Sequence, residues 1–257
     1  MKVKSLGFIG GGRVTRILLQ AFTNNQIDLS SVLVCDINKE VREVLKEQFP
    51  SIQITGSCES VAKQDIVFIA LHPPVIMETL EQIKSIVSEK TEVVSLAPKV
   101  NIEKIASKLA TKQIARLIPN ATSFINEGYN PISFTSGYSS NDKGSLLELL
   151  GVLGKTFEVE ESKLEAYAIV SAMLPTYFWF QWEEMQNLGI QMGLNKVESR
   201  DAVHKTLSAA INLFYDSGLN SSEVIDLIPV KPIGEHESQI LEVYQTKLMG
   251  LFQKIKP

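Results

Sequence analysis

Cysteine, histidine, tryptophan and long apolar runs are all scarce in this chain of 257 residues. The two cysteines, Cys35 and Cys58, cannot build a disulfide framework and lack metal-ligand spacing, so a reduced, cytoplasmic setting is expected and no metal site. Three histidines, His72, His204 and His236, form no recognisable nucleophilic triad with their sequence neighbours. Positive charge is not in excess: 25 Lys and Arg against 29 Asp and Glu leave a net charge of −4. That balance argues against a nucleic-acid partner, whose phosphates call for a basic face. The most apolar stretch, YAIVSAMLPTYFWFQW, is too short to span a bilayer comfortably and is broken by Pro175, so no membrane partner is expected. The start, MKVKSLGFIGGG, runs from a short apolar segment straight into glycines and lacks the cleavage pattern of a secretory leader.

What is present is an alternation. SLGFI, SVLVCD, IQIT, DIVFIAL, TEVVSL and QIARLI read as strands. Segments with apolar residues at helical spacing separate several of them, beginning at Gly12–Phe22. Near-continuous apolar strands between helices indicate a mostly parallel sheet covered on both faces. NPISFTS, SLLELLGVLG and KTFEVE add a strand, a helix and a last strand. Beyond Glu160 the strand pattern ends, and 162–190, 196–217, 221–228 and 236–253 all read as helix. The expected fold is therefore α/β: a Rossmann-type doubly wound domain over 1–160, then an all-helical domain over 161–257. Ala166–Trp182 is apolar on nearly every face of a helix, which demands burial all round. A small helical domain has limited interior of its own, so a second copy of the chain is the natural cover. Phe178, Trp179, Phe180 and Trp182 would then form dimer core.

The stretch GFIGGGRVTRI places Gly10, Gly11 and Gly12 between the first strand and the first helix. In the dinucleotide-binding pattern the first glycine permits a tight turn and the second admits a pyrophosphate close to the backbone. The third allows helix and strand to pack closely. Thr15 stands at that third position, a departure read as altered helix–strand packing. Context strengthens the motif, because Asp36 closes the second strand where an acid receives the hydroxyls of the adenosine ribose. Asp36 favours NAD, whereas Asn38 and Lys39 could accept the 2′-phosphate of NADP, so the cofactor is NADP or NAD. Arg13, just past the glycines, either steadies a phosphate or is solvated.

The layout and several motifs resemble the Δ1-pyrroline-5-carboxylate reductases. The family opens with a turn like GFIGGG and has a strand-end motif like Ala70–Leu71–His72–Pro73, with lysine usual at the place of His72. It also has a segment like RLIPNATSFINEG, in which Arg116, Pro119, Asn120, Glu127 and Gly128 match in register. The resemblance covers essentially the whole chain. It implies a Rossmann domain followed by a helical dimerisation domain, an active site between them, and hydride transfer from a nicotinamide to the carbon of a C=N bond. It further implies that Gly10, Gly12, Arg13, Val14, Asp36, Asn38, Ala70, His72, Pro73 and Asn120 bind the cofactor. Pro175, Tyr177 and Gly234 would bind the substrate.

The helical half departs from the family. AMLPTY stands where Gly-Ser-Gly-Pro-Ala-Tyr is usual, and KPIGEHE where Ser-Pro-Gly-Gly-Thr-Thr is usual, so Glu235 and His236 replace two threonines. Exchanging hydroxyl donors for a carboxylate and an imidazole weakens the case for an anionic ring acid as substrate, and hence for proline synthesis. Glu235 and His236 are either catalytic, with His236 a proton donor near neutral pH, or simply an exposed helix start. Lys99, where the family has a small residue, either reaches an anion or is solvated, and His204 reads as surface or packing. Two other functions stay open. One is a non-catalytic nucleotide-binding regulatory dimer. The other is a β-hydroxyacid-dehydrogenase-like oxidoreductase, which the lack of a lysine followed four residues later by asparagine between Ser162 and Gln191 disfavours.

Overall fold

A computed structural model describes residues 4–257. Eight strands form one sheet in the order β3-β2-β1-β4-β5-β6-β7-β8. They are β1 (Leu6–Ile9), β2 (Val32–Cys35), β3 (Gln53–Thr55), β4 (Ile66–Ile69), β5 (Glu92–Ser95), β6 (Ile114–Leu117), β7 (Gly128–Phe134) and β8 (Gly154–Glu158). Every pairing is parallel except β6 with β7. The expected doubly wound sheet is present, and chain order reverses between β1 and β4. A crevice opens there beyond the strand ends, the usual ligand position in such sheets.

The helices covering the sheet are α1 (Arg13–Asn24), α2 (Lys39–Gln48), α3 (Cys58–Val61), α4 (Pro73–Ile83), α5 (Ile102–Ala106) and α6 (Ser140–Gly151). Alternation along the strands explains the two cores. Phe8 and Phe68 face the α1 side, their rings stacked at 4.6 Å, while Ile9, Val67 and Ile69 face the opposite side with Ile76, Leu80 and Ile83 of α4. Both faces are apolar because both are buried, which is why β4 reads as an unbroken apolar run. Truncating a buried ring such as Phe68 to alanine costs about 3–5 kcal/mol. Short α3 was not legible in the sequence; Ser57 caps it, its side chain accepting from the Ser60 N–H.

The helix expected over 162–190 is not continuous. A 3-10 turn (Glu161–Lys163) leads into α7 (Leu164–Tyr167) and a π-helical turn (Ala168–Ala172). The chain bends at Met173 and restarts as α8 (Leu174–Gln191). Pro175 supplies the reason: it lacks an N–H, and its ring cannot stack on the preceding turn, so the helix breaks before it and resumes with proline in its first turn. The chain then continues as α9 (Lys196–Asp216), α10 (Ser221–Asp226) and α11 (Glu237–Ile255). Asn195 and Asn220 each build a full capping box, with Glu198 and Glu223 reaching back. Two compact units result, one running through Met173 and taking in Phe252–Pro257, the other Leu174–Leu251. The division falls later than the 160/161 boundary read from the sequence, because the segment from Glu161 to Ala172 is bonded to the sheet unit. None of the α8 side chains is buried, and Trp179 and Phe180 are 47% and 65% exposed. Within one chain, then, α8 lacks the all-round burial its composition demands.

Candidate functional site

The β1–α1 turn is built by its glycines in different ways. Gly10 has φ +104°, and a Cβ there would sit 2.4 Å from the Ala70 carbonyl oxygen. Only glycine fits both the conformation and the approach. At Gly11 a Cβ would meet Leu45 of α2 at 2.6 Å, whereas at Gly12 it would meet nothing within 4 Å. The outer edge of the turn is therefore open where an anion would approach. Gly12 is also the N-cap of α1, with no side-chain cap and no acidic residue in the first turn. Helix N–H groups left free, at the positive end of the dipole, are an anion site in waiting. Arg13 is exposed and Val14 half-buried beside it.

Thr15 does more than tolerate its place. It is fully buried, and its hydroxyl donates to the Gly10 carbonyl at 2.6 Å, tying the first helical turn to the strand end. Asp36 is oriented by the same turn. One carboxylate oxygen accepts from Gly11 N–H and the other from Asn38 N–H, each at 2.8 Å. Asn38 caps α2 by accepting from Glu40 N–H, and the Arg42 guanidinium donates to the carbonyls of Asp36 and Ile37. Asp36 is thus fixed beside the glycines with lone pairs to spare. A cleft of about 230 Å³ lies here, lined by Gly10, Asp36, Ile37, Leu71, Val75 and both cysteines among others.

Farther along the strand ends, His72 is the exposed N-cap residue of α4, followed by Pro73 and Pro74 in its first turn. It lines a groove with Pro73, Pro98, Lys99 and Lys104. Lys99 has φ +70°, a left-handed conformation that costs an L-residue of order 1 kcal/mol and concentrates at functional loops. Ala70 lies between this groove and the glycine turn, its carbonyl being the atom that crowds Gly10.

Asn120 is buried, and both ends of its amide are engaged inside the fold. Its Oδ1 accepts from the Thr122 N–H and hydroxyl, and its Nδ2 donates to Ser171. It clamps the end of β6 to the π-helical turn instead of offering a free amide at a strand end. Sequence reading missed the neighbouring network. Arg116 of β6, with its side chain 1% exposed, donates from Nη1 to Glu161 at 2.8 Å and from Nη2 to Glu165 at 2.6 Å, while its Nε finds no partner. Glu161 also accepts from Ile102 N–H, so one guanidinium ties β6 to α7 and to the start of α5, next to the Lys99 loop. Only the presence of a charged residue inside the strand QIARLI hinted at this.

The residues expected to meet the substrate lie in the helical unit. Pro175 and Tyr177 open α8; burial pushes the Tyr177 phenol upward, and its ring approaches Tyr244 of α11 at 6.3 Å. Gly234, Glu235 and His236 form a 3-10 turn before α11. Glu235 and His236 are exposed, 3.6 Å apart, and His236 Nδ1 lies 3.3 Å from Gln239. The sheet unit thus gathers Gly10, Gly12, Arg13, Val14, Asp36, Asn38, Ala70, His72 and Pro73 along its carboxyl edge, while Asn120 supports that edge from within. Among the described residues no helix is long and apolar enough to cross a membrane, and no group of three potential ligands is placed to hold a metal ion.

Comparison with known proteins agrees with this architecture. The family described as NADP oxidoreductase, coenzyme F420-dependent, matches residues 5–99, the span from β1 through β5. Pyrroline-5-carboxylate reductase of Corynebacterium melassecola is 21% identical over 97% of this chain and 94% of its own. That of Haemophilus influenzae is 24% identical over 83% and 79%. Among solved structures, a pyrroline carboxylate reductase of Plasmodium falciparum with NADP bound superposes with a TM-score of 0.78 at 20% identity, covering 99% of this chain and 95% of that one. A pyrroline-5-carboxylate reductase of Coxiella burnetii gives 0.73 at 24% identity, with the same coverage. The glycine turn, the switch-point crevice and these matches place the chain in the class of NAD(P)-dependent oxidoreductases built on a Rossmann domain. Over most of its length the chain is similar to pyrroline-5-carboxylate reductases, at identities below 30%.

Proposed function

We propose that this chain is an NAD(P)H-dependent reductase of the pyrroline-5-carboxylate reductase type, delivering hydride to the C=N carbon of a small cyclic imine acid or a related substrate. The observation that carries the reading is the open, uncapped β1–α1 turn at the switch point of the sheet. The residues present fit a dinucleotide: Gly10, Gly12, Arg13 and Val14 would hold the pyrophosphate, and Asp36 and Asn38 the adenosine ribose. Ala70, His72 and Pro73 would flank the nicotinamide end, with Asn120 keeping that edge in place. When bound, the cofactor supplies a hydride from its reduced nicotinamide ring. NADP is favoured by the Plasmodium relative and NAD by the pre-oriented Asp36 carboxylate, so both are assayed. A protonated imine asks little acid–base chemistry of the protein, whose work is to position the substrate and exclude water. Pro175, Tyr177 and Gly234 would shape the substrate site, with Glu235 and His236 as its hydrogen-bonding and proton-donating groups.

The exposed apolar face of α8 supports a homodimer formed through the helical unit, which sedimentation at micromolar concentration tests directly. An alternative reading, a nucleotide-binding dimer without turnover, draws on Glu235 and His236 standing where relatives carry hydroxyls. Purified protein with NADPH or NADH and a panel of cyclic imines, pyrroline-5-carboxylate first, separates the two by loss of reduced-nicotinamide absorbance. Turnover of any cyclic imine supports the reductase; saturable cofactor binding without turnover across the panel supports the alternative.

A further inference from the structure

We propose that Cys35 and Cys58 form a dithiol–disulfide couple in the wall of the Asp36 cleft, oxidised by small disulfides of the glutathione class. Twenty-three positions apart in sequence, the two Sγ atoms lie 2.9 Å from each other. A disulfide requires about 2.05 Å, so closure asks for a movement of less than about 1 Å. Cys35 ends β2, is buried, and its carbonyl accepts from Gly10 N–H at 2.8 Å. Cys58 opens α3, is only half-buried, and shares the cleft with Asp36, Ile37 and Leu71. The pair is asymmetric. The Cys35 thiol donates its hydrogen bond toward Cys58, which holds the Cys58 thiol down at about 7, while that bond and burial push Cys35 well up. Asp36, Glu59 and, more remotely, Glu78 across the cleft oppose the Cys58 thiolate, and Arg42 is the nearby cation.

A thiolate with a pKa near ambient pH is the most effective attacker of a disulfide. Cys58 Sγ attacks one sulfur of the small disulfide, that S–S bond breaks, and one thiolate departs. The Cys35 thiol then loses its proton to that or another departing thiolate and attacks Cys58 Sγ, expelling the second small thiol. The protein loses two electrons and two protons, and one small disulfide becomes two thiols. Forming the mixed disulfide removes the thiolate that accepts the Cys35 hydrogen bond, the main cause that holds the Cys35 proton.

The test uses the full chain in buffers of reduced and oxidised glutathione, with acid quench, intact mass and peptide mapping. The expected product is two hydrogens lighter, carries a Cys35–Cys58 cross-linked peptide, and reverts with dithiothreitol. A stable glutathione adduct on Cys58 with Cys35 still a thiol would overturn the proposal, as would no reaction at all. Cys35→Ser should halt at the mixed disulfide, and Cys58→Ser should leave Cys35 unmodified. In the wild type, alkylation of Cys58 should be half-maximal near pH 7. The location in the cofactor cleft rests on the reading above, and a second arm isolates it: saturating NADPH should slow cross-linking about tenfold. Cofactor binding that leaves the rate unchanged overturns the location. Absence of cofactor binding overturns the reductase reading while the cross-link stands.

Discussion

Replacing Arg116 with methionine removes a buried cation and leaves two carboxylates facing its place. Glu165, with its side chain 4% exposed, loses its charged partner, and Glu161 keeps only the Ile102 N–H. Breaking a buried ion pair from one side costs about 3–5 kcal/mol, because the remaining charge stays desolvated. For a chain of this size each kcal/mol is worth about 2–4 °C, so Tm should fall by roughly 6–20 °C. Urea unfolding followed by circular dichroism reads the same loss as a lower midpoint. Replacing both members of the tighter pair, Arg116→Met with Glu165→Leu, should recover most of it, since an apolar pair of similar volume often equals a buried ion pair. Glu161→Gln, at a side chain 29% exposed, should cost about 1 kcal/mol. An R116M variant within about 1 kcal/mol of the wild type refutes the reasoning, as does a double variant whose losses merely add.

Gly10→Ala forces a side chain into φ +104° and against the Ala70 carbonyl; it should destabilise by at least about 2 kcal/mol and abolish cofactor binding in a fluorescence titration. Thr15→Val keeps the volume but orphans the buried Gly10 carbonyl, for a loss of about 1–3 kcal/mol seen in the urea midpoint. The Lys4 ammonium beside Asp142 holds that carboxyl below its ordinary value of 3.8. A carboxyl lowered by folding contributes stability that is present above pH 4 and lost as pH falls through the folded pKa. Lys4→Met should therefore flatten the acid limb of a stability–pH curve, and an unchanged limb would count against the ion pair.

The fold was legible wherever burial imposes a period. β4, covered on both faces, announces itself as an apolar run, and α1 as an apolar stripe behind glycines. Asp36 was legible because strand-end position and charge coincide with the turn. Thr15 read as a misfit because sequence spacing carries no sign that its hydroxyl replaces the missing close contact with a bond to Gly10. The bend at Met173 was written in Pro175 but was masked by the apolar residues on either side. Asn120 read as a cofactor-binding residue, since the partner that takes up its amide, Ser171, arrives from a distant turn. The Arg116 network and the Cys35–Cys58 contact were invisible for the same reason: each joins residues far apart in sequence that only the folded chain brings together. KPIGEHE was legible as a departure, and its Glu235 and His236 stand exposed in the turn before α11.

Hydride transfer from a bound nicotinamide to a carbon–nitrogen double bond leaves an isotopic mark on the product. It is tested by incubating the protein with reduced NADP, deuterated at the transferable ring position, and pyrroline-5-carboxylate or the best imine of the panel, then analysing the product by mass spectrometry. The expected product is an amine carrying one deuterium at the former imine carbon. An amine free of label, or complete absence of product across the panel while the cofactor remains reduced, would contradict it.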